Sequence, residues 1–82
     1  MTPPAQANRH GVAGADFRHD LVALLPQLRA FARFLARDID AADELVQDTI
    51  ARALGAIPPS GSLRAWSFAI LRNRFYLSLI HI

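Results

Sequence analysis

The sequence contains neither cysteine nor lysine. Without cysteine there is no disulfide framework and no thiolate metal centre. The three histidines, His10, His19 and His81, are scattered without the close spacing of metal ligands. No metal and no cofactor is therefore expected. No apolar run approaches the roughly 20 residues that cross a bilayer. The opening stretch MTPPAQANRHGVAGA lacks the apolar centre of a signal peptide, and a cytoplasmic location is the default expectation. At 82 residues the chain holds one small domain. A hydrophobic content of 52% suffices for a compact core but not for a large enclosed pocket, which argues against an enzyme.

What is present is arginine. All nine basic residues are Arg, against seven acidic residues. Arg forms planar, bidentate contacts with phosphates and carboxylates, which suits nucleic acid or an acidic partner; a codon bias toward GC-rich triplets gives the same composition. A net charge of +2 is too small to argue for DNA by itself. Its distribution says more. Asp38 to Asp48 carries five acidic residues and no basic one, and Arg52 to the end carries four Arg and no acid. An acidic middle and a basic end suggest two different partners.

Residues 1–15 hold Pro, Gly, Ala and Asn without periodicity and read as a disordered leader. From Asp16, the residues Phe17, Leu21, Leu24, Leu28, Phe31 and Leu35 form one helical stripe. Pro26 cannot donate to the carbonyl one turn back, which predicts a kink or split near Leu25. Arg18, Arg29, Arg33 and Arg37 lie off the stripe. A second helix follows, with Asp40 as its predicted N-cap. Its apolar face is Ala42, Leu45, Val46, Thr49, Ile50, Ala53 and Leu54, and Gly55 is its stop. The segment AIPPSGS is a loop, and Ser62 can cap a third helix that runs from Leu63 to Tyr76. That helix carries two apolar stripes: Leu63, Trp66 and Ile70, then Phe68, Leu71 and Phe75, with Arg64, Arg72, Asn73 and Arg74 between and around them. Such a helix is buried on two sides, or packs on one and binds something on the other.

Two sets of residues are candidates for function. On the second helix, Asp40, Asp43, Glu44, Gln47 and Asp48 lie along one side. That side is either a solvated face or a docking face for an Arg-rich partner helix. No opposing base, His ligand or pocket makes these carboxylates catalytic. On the third helix, aromatic and Arg residues interleave. Trp66, Phe68 and Phe75 fit a core. Aromatic faces also stack on unpaired bases, at about 1–3 kcal/mol each, while Arg holds the phosphates. Asn73 is either hydrogen-bonded or available to a base.

In combination these strings resemble a known family. DAADELVQDTIARAL, a Pro/Gly loop and LRAWSFAILRNRFY are similar to the second conserved region of extracytoplasmic-function (ECF) sigma factors of RNA polymerase, and LVALLPQLRAFARFLARD resembles the start of that region in the general-stress subgroup. The resemblance covers residues 16–76. It implies an all-α domain, a small bundle of three or four helices. It further implies a non-catalytic role in transcription initiation, in which Asp43, Glu44, Gln47 and Asp48 dock on the coiled coil of the largest polymerase subunit. Ser62, Arg64, Trp66, Arg72, Asn73, Arg74 and Tyr76 would open the promoter and capture a base of the minus-ten element on the non-template single strand. An anti-sigma factor is the further partner the family implies. A sigma mimic that binds an anti-sigma factor without DNA is the alternative reading; Arg64, Trp66, Arg72 and Asn73 argue against it.

The chain departs from the family pattern twice. Its loop reads IPPSGS where relatives carry a Pro-Gly-Thr-Asn-like turn, so promoter preference does not carry over. After Tyr76 it reads LSLIHI, where the family continues with polar and basic residues. Those six residues are also a translation of CTGTCTCTTATACACATC, which resembles a transposase-type sequencing adapter. Residues 77–82 are therefore expected to be a non-native tail on a C-terminally truncated sigma factor, whose helix-turn-helix domain for the minus-thirty-five element has no counterpart in the 82 residues.

Overall fold

In a computed structural model, residues 16–80 are described, and they form four helices. The expected leader, residues 1–15, and the last two residues lie outside the described residues. The helices are α1 (residues 16–23), α2 (Leu25–Ala36), α3 (Ile39–Leu54) and α4 (Leu63–Leu79). The all-α bundle that the family resemblance implies is the fold observed.

The first stripe is split where Pro26 demands it. The break falls at Leu24, whose N–H reaches the Leu21 carbonyl at 3.1 Å in a tight turn. Pro26 then occupies the first turn of α2, where a missing N–H costs nothing because no carbonyl is there to receive it. The stripe survives the break. Leu21 and Leu28 are buried on either side of it, and Phe31 and Leu35 continue the line half-buried.

Two residues, Arg37 and Asp38, turn the chain from α2 into α3. The Asp38 N–H bonds the Ala36 carbonyl at 2.7 Å, and Arg37 between them has φ 66 and ψ −37. That is a three-residue γ-type turn of the rarer hand. The same Asp38 caps α3: its carboxylate Oδ2 accepts from the Ala41 N–H at 3.0 Å. The cap is therefore Asp38 and not Asp40, which sits in the first helical turn. The tight turn brings Asp38 to the head of the helix two residues before the position read from sequence, and Asp40 instead adds negative charge at the positive helix end.

Ala42, Leu45, Val46, Thr49 and Ala53 line the buried side of α3. Thr49 donates its hydroxyl to the Leu45 carbonyl at 2.8 Å, so its burial leaves no unpaired group. Gly55 ends α3, and its N–H returns to the Ala51 and Arg52 carbonyls. After the loop, the Ser62 hydroxyl accepts from the Ala65 N–H at 3.1 Å and starts α4. This helix runs three residues beyond the predicted Tyr76 end, to Leu79. Leu77-Ser78-Leu79 contains no breaker, and each residue added to an existing helix gains a backbone bond.

The core comprises Leu28, Ala32, Ala42, Leu45, Val46 and Leu71, so α2, α3 and α4 all contribute. Phe31, Phe68 and Phe75 pack against it. The two apolar stripes of α4 follow from its position. It meets α2 through stacked Phe31 and Phe68 rings, with centroids 5.0 Å apart. It meets α1 through Phe17 and Trp66, at 5.9 Å.

Candidate functional site

The acidic side of α3 is built by helical repetition. At about 100° per residue, Asp40, Asp43, Glu44, Gln47 and Asp48 fall on the side opposite the buried Leu45, Val46 and Thr49. All five are exposed. Burying the apolar stripe of α3 thus turns the carboxylates outward as a set, without any bond between them.

On α4 the candidate residues divide. Arg72, Asn73 and Tyr76 are exposed. Their spacing puts them on one side of the helix, continuing the line of Ala65 and Ala69. Ser62 is exposed, but its hydroxyl already serves as the helix cap. Arg64 lies in the first turn with its guanidinium 5.5 Å from the Phe68 ring centre, a cation–π distance. Trp66 is half-buried beside Phe17; part of its surface belongs to the packing between α4 and α1.

Arg74 does not join its neighbours. Its side chain faces α3, where Nη2 lies 3.7 Å from Asp48 Oδ2. Its Nε is buried without a hydrogen-bond partner. A residue assigned to nucleic acid thus touches one assigned to protein docking. Sequence reasoning missed the contact because Asp48 and Arg74 lie 26 positions apart. Helical spacing was the signal that could have found it: Arg74 follows the buried Leu71 by three positions and so shares its inward side. A cavity of about 470 Å³ opens beside the pair, lined among others by Glu44, Leu45, Phe75 and Leu77.

A second cavity, about 460 Å³, lies between α1 and the α3–α4 loop, with Asp16, Phe17, Asp20, Pro58, Pro59 and Gly61 in its wall. Ile57 at the start of this loop is 89% exposed. Among the described residues no three His, Cys, Asp or Glu side chains cluster as a metal site would require. No described helix is long and apolar enough to cross a membrane.

Residues 21–79 match the family described as sigma-70 region 2. The chain is also similar to the ECF RNA polymerase sigma factor EcfG of Rhodopseudomonas palustris (strain TIE-1). The two are 51% identical over 63 residues, which cover 73% of this chain and 35% of that protein. The chain thus spans about a third of the relative's length. No solved structure matches it.

Proposed function

Because this chain belongs to the sigma-70 region 2 family, we propose that it docks on the RNA polymerase core through the acidic side of α3 and recognises and opens the minus-ten promoter element through the loop and α4. The observation that carries this reading is the separation of charge by helix. Asp43, Glu44, Gln47 and Asp48 stand exposed on α3, and Arg72, Asn73 and Tyr76 stand exposed on α4. One surface suits the cationic side chains of a protein partner. The other suits phosphates and unpaired bases.

The work is base capture and not bond chemistry. Unstacking a base costs a few kcal/mol. Arg72 holds the strand by its phosphates, Asn73 offers an amide to a base edge, and Tyr76 offers a ring on which a base stacks. Together these contacts offset the cost and keep the strand open, while polymerase performs the synthesis. Arg64 stands at the start of α4, next to the loop, where it reaches the same strand. The likeness to EcfG further supports a place in the ECF group, and we assign the chain to the general-stress-like subgroup on its sequence strings. An anti-sigma factor would compete for these faces.

The test is binding of the chain to fluorescent single-stranded oligonucleotides bearing minus-ten-like sequences, with and without core polymerase, over a salt series. Sequence-selective, salt-sensitive binding that Asn73→Ala weakens is the expected result. Binding to core without DNA selectivity would instead favour a docking module or an anti-sigma-binding mimic.

A further inference from the structure

All seven aromatic side chains of the sequence lie among the described residues. Six of them meet another ring: Phe17 meets Trp66, Phe31 stacks on Phe68, and Phe75 lies against Tyr76. Phe34 is the seventh. It joins no such pair, and it is 77% exposed. Core packing therefore does not account for an aromatic ring at this position. A single exposed apolar side chain is ordinary; what surrounds this one is not.

Its place follows from the Phe31–Phe68 stack. The tight turn at Arg37 and Asp38 sends α3 back along α2. In turn, α4 runs back along α3, with Arg74 beside Asp48 and Ser78 near Ala41. α2 and α4 thus run in the same direction. Phe34 lies three residues beyond Phe31, and Arg72 lies four beyond Phe68. At about 100° per residue, Phe34 is turned further than Phe31 from the buried Leu28 and Ala32. Arg72 is likewise turned further than Phe68 from the buried Ser67 and Leu71. Both stand on the solvent side of the stack, one on each wall of the groove between α2 and α4, and Tyr76 follows Arg72 by one turn. Arg33 and Arg37 flank Phe34 in sequence. Both are exposed, and among the described residues neither forms an ion pair. α2 itself contains no acidic residue, and the next acid along the chain, Asp38, spends its carboxylate on the Ala41 N–H at the head of α3.

We infer that Phe34 is a stacking platform for a base of the single strand that lies along the exposed side of α4, with Arg33 and Arg37 beside it for the strand's phosphates. The inference rests on the functional reading above and extends the strand surface from α4 onto α2. A flat ring in a cationic, acid-free setting fits an unpaired base, whose π-face stacks on an aromatic ring while its phosphate takes a cation. The apolar face of a partner helix would need several apolar positions around Phe34. The exposed positions that adjoin it on α2 are instead Gln27, Ala30 and the two Arg. Stacking reads no hydrogen-bonding edge, so the platform takes a base of any identity and adds affinity without selectivity.

The experiment uses the whole chain and fluorescent minus-ten-like single strands over a salt series, with and without core polymerase. Phe34→Ala should weaken binding at least about fivefold, the low end for one stacked base, with a thermal melt like that of the wild type. Phe34→Trp should keep the affinity, and Phe34→Leu, apolar but without a π-face, should lose most of it. Neither change should alter the slope of log affinity against log salt, whereas Arg37→Gln should flatten it by up to about 0.7, the value of one phosphate contact. An abasic site walked along the strand should find one position, indifferent to base identity, where removing the base weakens the wild type and leaves Phe34→Ala unaffected. Unchanged affinity in Phe34→Ala would overturn the inference, as would Leu serving as well as Trp. Loss of self-association in Phe34→Ala, seen by sedimentation with strand affinity unchanged, would give the ring to a second copy of the chain and overturn it too. If those results came with wild-type binding that Arg72→Ala weakens, the functional reading would stand and the platform alone would fall. Absence of strand binding by the wild-type chain, alone and with core, would remove both.

Discussion

At Arg37 the backbone enters the positive-φ region, the one described non-glycine residue to do so. A side chain there costs about 1–3 kcal/mol, which the packing of α2 against α3 must offset. Glycine accepts the conformation freely but loses more entropy on folding. Arg37→Gly is therefore expected to leave stability unchanged or raise it by up to about 1 kcal/mol, whereas branched Arg37→Val should lower it by about 1–2 kcal/mol. Urea midpoints of the two variants would check this. A destabilising glycine would mean that the Arg37 side chain, and not the backbone, matters at this turn. Sequence alone did not reveal the turn. Asp38-Ile39-Asp40 offers two carboxylates, either of which can cap a helix, and only the three-residue turn decides for Asp38. Trp66 reads from sequence as core before base stacking, and it lies half-buried beside Phe17. Trp66→Ala should accordingly cost about 2 kcal/mol of stability by loss of buried area, measurable by circular dichroism. Lost strand binding in that variant is evidence of base contact only if folding is first shown to persist.

Helices were more legible than residues because their signals are repeated. Six apolar positions predicted α1 and α2 together, and Pro26 placed the break within one residue of where it falls. The exposed side of α3 could be read because one stripe of apolar residues fixes the orientation of the whole helix. On α4 that logic weakens: two stripes leave its outward side ambiguous, and Arg72, Asn73 and Arg74 read as a consecutive set although a helix turns adjacent residues to different sides. The start of α4 offers a sharper test. Ser62 was read as both cap and nucleic-acid contact, and its hydroxyl accepts from Ala65. Ser62→Ala should lower stability by about 1 kcal/mol, and Ser62→Asn should restore most of it, since Asn caps as well as Ser. Thermal melts give the stability, and oligonucleotide titrations give the affinity. If Asn restores both, Ser62 acts by setting where α4 begins. If it restores the melt and not the affinity, the hydroxyl itself meets the strand.

For the molecule as a whole, the governing quantity is a small margin. The described bundle has no disulfide, and domains of this size bury too little apolar surface for much reserve. Its central cluster is drawn from three helices, with Leu28 and Leu71 both fully buried on α2 and α4. Truncating either side chain removes contacts that several helices share. Leu71→Ala should cost about 2–5 kcal/mol, comparable with all the stability that a small unstapled domain holds. The expected outcome is loss of the cooperative thermal transition and of most helical circular dichroism at room temperature. Phe34 supplies the comparison: it is as apolar but 77% exposed, so Phe34→Ala should change stability by no more than about 0.5 kcal/mol. The contrast separates two accounts of how the charged faces are held. If the faces depend on the shared core, Leu71→Ala abolishes the proposed polymerase and strand binding together, because the long, partly exposed Asp48–Arg74 contact is too weak to hold the acidic side of α3 in place by itself. If α3 and α4 present their faces as independent helices, the variant keeps core binding while its thermal transition disappears. The burial of one continuous cluster beneath both faces favours the first outcome.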